Sequence, residues 1–285
     1  MTKDDQRHRA DLFRALHKSP PILVLPNVWD AVSARLYEVE GFKAVATTSA
    51  GVSATLGYPD GERMSLAEAI EVIRRIVGSI TVPLSADLEA GYAESPDGVA
   101  ESAQAAIHAG AVGINLEDST GDESAPLHDV ALQVEKIRAV RTMAESEGIR
   151  LVINARTDVY LLPTYKEADR LHLTIQRANA YRDAGADCIF VPDFGDLDPK
   201  TIGTLVKEID APLNVIAGEQ TPPLPKLEEL GVARVTFGPR PMRAALALIR
   251  KIAREWKEAG TYSEMLADTI SYAEINQMLE NPRTD

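Results

Sequence analysis

The chain has 285 residues, and its 30 Lys and Arg residues against 43 Asp and Glu residues give a formal net charge of −13 at pH 7. This excess of negative charge excludes nucleic acid and anionic membranes as the main partners. With 45% hydrophobic and 26% charged residues, the chain can form a substantial core. Its single cysteine, Cys188, excludes a disulfide framework and a cysteine-rich metal site.

The N-terminal segment is too polar for a signal peptide. No apolar run reaches the length of about 18 residues that a membrane-spanning helix needs. The single cysteine also agrees with a reducing compartment. We therefore expect a soluble cytoplasmic protein without a membrane partner.

Eight short segments rich in β-branched residues alternate with longer amphipathic segments along the chain. The predicted strands are residues 22–25, 44–48, 82–86, 113–116, 151–155, 187–191, 213–216 and 234–237. The predicted helices are residues 31–40, 66–77, 99–109, 129–146, 168–184, 199–209, 224–230 and 242–257. Eight strand–helix pairs in this order predict a single α/β domain, a (β/α)8 or TIM barrel.

Five of the predicted helices end at a glycine, a residue that caps a helix in the left-handed conformation. These glycines are Gly41, Gly110, Gly148, Gly185 and Gly231. No linker divides the chain, so we expect one domain over residues 1–285, with the barrel at about 20–258 and a C-terminal helical segment at about 262–281. The apolar residues of that segment predict packing on the barrel or on a neighbouring subunit.

Acidic residues follow several predicted strands, at the end where a TIM barrel carries its active site. Asp87 and Glu89 follow the third strand, Glu117 follows the fourth, and Asp60 lies in the loop after the second. In extended backbone, Asp87 and Glu89 would point the same way. Oxygen ligands without His or Cys indicate a hard cation, Mg²⁺ first and Mn²⁺ as the alternative. The other interpretation is that these acids are solvated surface groups or helix N-caps.

Two further features lie at predicted strand ends. Arg156 follows the fifth strand, where it could pair with the carboxylates or with a substrate carboxylate. Residues 49–51 follow the second strand, and their backbone N–H groups could hold a carboxylate. The alternatives are a structural salt bridge for Arg156 and a simple tight turn at 49–51. Cys188 lies inside a predicted strand, where a buried apolar role is favoured over nucleophilic catalysis.

The segments that carry these residues occur in an order specific to one family. They are LPNVWD at 25–30, TSAG at 48–51, GYPD at 57–60, DLEAGY at 87–92, NLED at 115–118 and NARTD at 154–158. From about residue 10 to the end of the barrel, the chain resembles the isocitrate lyase/phosphoenolpyruvate mutase superfamily. The resemblance implies a (β/α)8 barrel whose eighth helix is often exchanged between the subunits of a homodimer or homotetramer.

The resemblance also implies roles for single residues. Asp87 would bind Mg²⁺ most directly, and the waters of the ion would be held by Asp60, Glu89 and Glu117. The carboxylate of a 2-oxo acid would be bound by Ser49, Ala50 and Gly51. Arg156 would stabilise the oxyanion that forms during the reaction.

The loop at residues 119–129 departs from the family pattern. Isocitrate and methylisocitrate lyases carry a cysteine there as the acid, and this loop has none. The phosphonate-processing branch carries Lys or Asn there, and this loop has neither. That branch also has a histidine at the end of the sixth strand, where this chain reads Phe190-Val191-Pro192.

Carbon–carbon cleavage is therefore our leading hypothesis for the function. The enzyme would be a Mg²⁺-dependent lyase, similar to methylisocitrate lyase or oxaloacetate decarboxylase, that acts on a small 2-oxo or 2-hydroxy carboxylate through a metal-stabilised enolate. A second hypothesis is a phosphonopyruvate or carboxyphosphonoenolpyruvate mutase or hydrolase. A third is a non-catalytic oxo-acid-binding protein.

A lyase without the loop cysteine needs another general acid. Glu123 and His128 in the loop, and Tyr58 after the second strand, are the candidates. The alternative for the loop is a solvent-exposed cover with His128 near a helix N-cap.

Overall fold

The computed structural model describes residues 1–18, 20–163, 165–193 and 197–280, without the side chains of Glu167 and Ala168. Within these ranges nine short strands form one parallel sheet. The strands are β1 (Leu23–Val24), β2 (Asn27–Val28), β3 (Val45–Thr47), β4 (Leu84–Asp87), β5 (Gly113–Glu117), β6 (Val152–Arg156), β7 (Cys188–Val191), β8 (Leu213–Ile216) and β9 (Arg234–Thr236). Their order across the sheet is β1-β9-β8-β7-β6-β5-β4-β3-β2.

Strands β1 and β2 are neighbours along the chain but stand at opposite ends of this order. β1 pairs with β9, and β2 pairs with β3. Pro26, which lies between them, has no N–H to donate, but its carbonyl accepts the amide of Ala46 at 2.9 Å. The sheet therefore curls until both of its ends meet at residues 23–28, which is consistent with the predicted TIM barrel.

Helices connect the strands. They are α1 (Lys3–Leu16), α2 (Ala31–Val39), α3 (Ser49–Thr55), α4 (Leu66–Ser79), α5 (Pro96–His108), α6 (Val130–Ser146), α7 (Glu167–Asp183), α8 (Pro199–Glu208), α9 (Leu224–Glu229), α10 (Arg240–Glu258), α11 (Ser263–Leu266) and α12 (Tyr272–Leu279), with a short 3-10 helix at Val159–Leu161. The predicted helices correspond to α2 and α4 to α10. Over the described ranges, no helix combines the length and the apolar character that crossing a bilayer requires.

The predicted glycine turns are confirmed. Each of the five glycines has a positive φ, from 65° to 111°. The core consists of apolar residues from the strands and from the inner faces of the helices, with Ile114, Ile153 and Val235 among those fully buried. Helices α1 and α3 are not among the predicted helices, because α1 is strongly polar and α3 is short and built of small residues.

The C-terminal helices bury few of their residues. Helix α10 buries Met242 alone, whereas Leu246 and Ile249 are 48% and 60% exposed. Helix α12 returns to the barrel, where Arg35 Nε donates to the carbonyl of Met278 at 3.1 Å. The segment predicted at 262–281 is thus partly helical, and its residue 281 lies outside the described residues.

We propose that α10 forms the interface of a homodimer or homotetramer, since a helix with this exposed apolar face is stabilised by burial. Sedimentation at micromolar concentration is expected to give a species of at least twice 30.9 kDa. The double variant L246E/I249E should sediment as a monomer, and the exposed substitution Arg74→Glu on α4 should not change the assembly. A wild-type protein that sediments as a monomer would contradict the proposal.

Candidate active site

Asp87 is the last residue of β4 and is half-buried. Its Oδ2 atom accepts a hydrogen bond from the amide of Ser49 at 3.0 Å. Its own amide donates to Oγ1 of Thr47 at 2.7 Å. Because Thr47 ends β3 and Ser49 begins α3, the neighbouring strand–helix connection fixes Asp87 at the carboxyl edge of the sheet.

Residues 49–51 form the first turn of α3 and not an open turn. The first N–H groups of a helix have no acceptor within the helix. That of Ser49 donates to Asp87, and those of Ala50 and Gly51 remain able to bind a ligand oxygen. Gly51 lies close to two side chains, because a Cβ atom there would be 2.6 Å from Cγ2 of Thr48 and 2.9 Å from Cβ of Trp29. The start of α3 therefore depends on glycine for its packing.

Gly51→Ala is expected to displace the start of α3 and to weaken the binding of small carboxylates such as oxalate. Overpacking of this kind costs about 1–3 kcal/mol of unfolding free energy. The matched control is Gly78→Ala in α4, where an added Cβ meets no atom within 4 Å. Urea unfolding and oxalate titration measure the two effects, and equal results for both variants would contradict the assignment.

Glu89 does not lie on an extension of β4, so the extended backbone assumed for Asp87 and Glu89 is absent. The strand ends at Asp87, and Glu89 has a φ of 50°, which breaks the alternation. Its buried Oε2 accepts the amides of Gly61 at 3.0 Å and of Glu62 at 2.8 Å. Its Oε1 accepts a hydrogen bond from the hydroxyl of Tyr92 at 3.1 Å, a contact that was not predicted.

Burial, followed by the charge of Asp87, raises the pKa of Glu89 to about 7 from an ordinary value of 4.5. Between these two values the folded protein holds a proton that the unfolded chain has released. The free energy of unfolding of the metal-free protein should therefore fall as pH rises through this window, by about 2–3 kcal/mol for this group.

Glu89→Gln should remove this part of the pH dependence, and Glu94→Gln at an exposed position should keep it. Urea unfolding at pH 5 and pH 8 measures the difference. The assignment would be wrong if Glu89→Gln showed the same loss of stability as the wild type.

Glu117 and Asp60 share the electrostatic environment of Asp87. Glu117 ends β5, and its Oε2 pairs with Nη1 of Arg156 at 2.7 Å. Burial raises the pKa of Glu117 well above its ordinary value, although Arg156 opposes the shift. Desolvation of its carboxyl group and then the charge of Asp87 raise the pKa of Asp60. Negative charge is thus concentrated around Asp87.

No three His, Cys, Asp or Glu side chains of the described residues are arranged to coordinate one metal ion directly. The Oδ1 atom of Asp87 has one long contact, with the amide of Glu89 at 3.4 Å, and can accept a further partner. The carboxylates of Glu89 and Glu117 are already bound by their own partners. One open carboxylate surrounded by others suits Mg²⁺, which keeps several of its waters. Burial is the main cause of the raised pKa values of Asp60, Glu89 and Glu117, and the charge of Asp87 adds to it. A divalent cation would relieve this repulsion.

Arg156 is held in one orientation by two carboxylates. Its Nε and Nη2 atoms donate to the two oxygens of Asp158 at 2.5 and 2.9 Å, and Nη1 pairs with Glu117. The guanidinium lies 5.9 Å from the ring centre of Phe190. Burial opposes its charge, but Asp158 and Glu117 outweigh that effect and raise the pKa of Arg156. Arg156 therefore stays charged and fixed.

A buried network behind Arg156 was not predicted. Oδ1 of Asp118 accepts the amide of Asp158 at 2.9 Å, and its Oδ2 accepts Nη1 of Arg177 at 3.0 Å and the hydroxyl of Tyr181 at 2.7 Å. Arg177 also donates to the carbonyl of His128 at 3.0 Å. The network thus joins the end of β6 to the base of the loop at 119–129. In the sequence, this network is marked only by Asp118, the acid at the end of the NLED motif.

The loop at 119–129 is closed at its base by a backbone bridge between Ser119 and Leu127. Glu123 is exposed in this loop. The Nε2 atom of His128 lies 3.1 Å from Nζ of Lys136, which is fully buried. Burial and the charge of Lys136 lower the pKa of His128. The histidine is therefore held as a neutral partner of a buried lysine.

The third candidate acid, Tyr58, is 37% exposed. Its hydroxyl donates to Oε1 of Glu68 at 3.1 Å, near the start of α4. Among the described residues, no hydrogen bond joins Tyr58, Glu123 or His128 to Asp87. The structure thus brings together the predicted metal and carboxylate residues but leaves the three candidate acids apart from Asp87. A role for any of them as the acid stays a prediction.

The fold and the site define an α/β barrel-like protein with an acidic site at the carboxyl ends of its strands. The family model for phosphoenolpyruvate phosphomutase matches residues 13–257. The chain belongs to this family, within the isocitrate lyase/phosphoenolpyruvate mutase superfamily that the sequence motifs predict.

Three relatives cover nearly the whole chain. An uncharacterized protein of Mycobacterium tuberculosis is 36% identical over 272 residues, which are 94% of this chain and 95% of that protein. The 2-methylisocitrate lyase of Bacillus subtilis is 27% identical over 286 residues, 96% of this chain and 90% of the lyase. A crystal structure of a candidate lyase/mutase from Burkholderia cenocepacia superposes with a TM-score of 0.90 at 36% identity, over 98% of both chains.

Proposed function

We propose that this protein is a Mg²⁺-dependent lyase that cleaves a carbon–carbon bond of a small 2-oxo or 2-hydroxy carboxylate. The observation that carries the proposal is the carboxylate of Asp87 beside the first turn of α3, with Arg156 fixed at a nearby strand end by Asp158. The similarity to a 2-methylisocitrate lyase supports carbon–carbon cleavage.

The roles of the residues follow from their contacts. Asp87 would bind Mg²⁺ directly, and the waters of the ion would be bound by Asp60, Glu89 and Glu117. The bound cation supplies the positive charge that stabilises an enolate or an alkoxide on the substrate. Residues 49–51 would hold the substrate carboxylate. Arg156 would donate hydrogen bonds to the oxygen on which negative charge develops.

The loop at 119–129 would exclude water from this site. Its base is fixed by the bridge between Ser119 and Leu127 and by the contact of Arg177 with the carbonyl of His128. Water exclusion strengthens the electrostatic stabilisation of the enolate and limits its premature protonation. The loop contains neither the cysteine nor the lysine or asparagine that other branches of the family use, so the part of the site that would act on the leaving group differs from theirs.

A panel of 2-oxo and 2-hydroxy acids with Mg²⁺, assayed for pyruvate or glyoxylate, tests the proposal. We expect release of one of these oxo acids from a di- or tricarboxylate. Phosphonopyruvate belongs in the same panel, because phosphate release from it would favour the phosphonate reaction instead. Tight Mg²⁺-dependent oxalate binding without turnover of any acid would favour a non-catalytic binding protein.

A further inference from the structure

Arg234, the first residue of β9, lies inside the curled sheet and is fully buried. Its Nη2 atom is 3.4 Å from Oδ1 of Asn115 on β5. Strands β9 and β5 are separated by three other strands in the sheet order, so this contact crosses the interior of the sheet. The guanidinium therefore occupies the inside of the barrel and not its helical outside.

The side chains next to Arg234 on the neighbouring strands are polar and uncharged. Asn214, its register partner on β8, and Asn154, which donates to Asn115 at 2.7 Å, are both fully buried. Burial and the charge of Arg234 lower the pKa of the buried His17 to about 3, so this histidine is neutral. All four residues are shielded from solvent.

The charge of Arg234 has no counter-charge in contact with it. Its Nε and Nη1 atoms have no hydrogen-bond partner, and no carboxylate of the described residues forms an ion pair with it. Burial lowers its pKa to about 10, which still leaves it protonated at neutral pH. A buried charge without a partner is costly for stability, so its presence calls for a function.

The position of Arg234 relative to Asp87 indicates what this buried charge does. Asn115, which Arg234 contacts, is the register partner of Asp87 in the pairing of β4 with β5. The guanidinium thus lies in the barrel interior below the acidic site. Its favourable electrostatic interaction with Asp87 opposes the effect of burial.

We propose that Arg234 is an internal positive charge beneath the active site, which strengthens the binding of the anionic substrate and weakens the binding of the metal ion. The inference rests on the proposed function, because it assumes that Asp87 binds a cation and that the cation binds a carboxylate. Unit charges on the order of 10 Å apart, in a medium of effective dielectric constant near 20, change a binding constant about tenfold, so the effect on a divalent ion is about a hundredfold. Because the charge is buried, salt should screen this effect only weakly.

The test is calorimetric titration of Mg²⁺, and of oxalate at saturating Mg²⁺, in 0.15 and 1 M salt. In Arg234→Met and Arg234→Gln we expect Mg²⁺ to bind about a hundredfold more tightly and oxalate about a hundredfold more weakly, at both salt concentrations. Arg234→Lys keeps the charge and should keep both constants. Arg75→Met, an exposed substitution on α4 with the same change in net charge, should leave them within about twofold.

Asn214→Asp provides an independent route to the same result. It places a carboxylate next to Arg234 and neutralises the arginine without removing it, so it remains available if Arg234→Met does not fold. The same opposite shifts of the two constants are expected. If Arg234 had a purely structural role, its replacement would change the binding constants of Mg²⁺ and oxalate in the same direction, or would change neither.

The inference would be overturned if folded Arg234→Gln or Asn214→Asp bound Mg²⁺ and oxalate as the wild type does. It would also be overturned if both binding constants changed in the same direction. These constants need no turnover, so a protein that binds Mg²⁺ and oxalate but cleaves nothing would contradict the proposed function alone. A wild type that binds neither ligand would contradict both.

Discussion

Asp87→Asn is expected to abolish Mg²⁺ binding and the Mg²⁺-dependent binding of oxalate. The asparagine oxygen can still accept the hydrogen bond from Ser49, so the fold should be kept while the negative charge is lost. A group that acts through a bound water typically contributes about 10–100-fold to metal affinity. A direct ligand should contribute more than that, so the loss in this variant should exceed the losses in Glu89→Gln and Glu117→Gln.

Calorimetry with Mg²⁺ and oxalate measures these losses, and circular dichroism checks the fold. Asp97→Asn, at an exposed position in α5, is the control for loss of one acidic charge and should bind both ligands normally. If Asp87→Asn bound oxalate as the wild type does in the presence of Mg²⁺, the metal site would be wrongly assigned.

Arg156→Lys is expected to lower kcat by about 10²–10³-fold once a substrate is known. Lysine keeps the positive charge but loses the forked geometry with which Arg156 donates two hydrogen bonds to Asp158. The charge would then no longer be fixed where the oxyanion forms. Because Asp87 is unchanged, Mg²⁺ affinity should change by less than the rate.

Arg141→Lys is the matched control for Arg156→Lys. Arg141 is also half-buried, and its Nη2 donates to Asp187 at 2.5 Å, but it has no contact with the acidic site. Its replacement should leave kcat nearly unchanged. Equal rates for the two variants would show that Arg156 has no special role in the reaction.

The strand pattern could be predicted from the sequence because each buried parallel strand is a short apolar run. The predicted strand at 213–216 agrees with β8 at both ends. Strand β2 was missed because Pro26 interrupts the run, and the carbonyl of that proline still pairs with the neighbouring strand. The carboxyl-end position of Asp87, Glu117 and Arg156 follows directly from the strand ends.

The side-chain geometry of the site could not be predicted in the same way. The left-handed backbone at Glu89 turns its carboxylate toward the amides of Gly61 and Glu62, and no local pattern encodes that distant pairing. The network of Asp118 likewise depends on Arg177, which is 59 residues away in sequence. Arg234 gave a visible signal, since it is a charged residue at the start of an apolar strand, but its interior position requires the closed sheet.

The Mg²⁺ dependence of oxo-acid release tests the central claim most directly. Wild-type protein, stripped of metal and incubated with the panel of di- and tricarboxylates, is assayed for pyruvate and glyoxylate before and after addition of Mg²⁺. We predict release of one oxo acid only after Mg²⁺ is added, with no release by Asp87→Asn at the same Mg²⁺ concentration. Equal release in the stripped protein, or in Asp87→Asn, would contradict a metal-dependent lyase at this site.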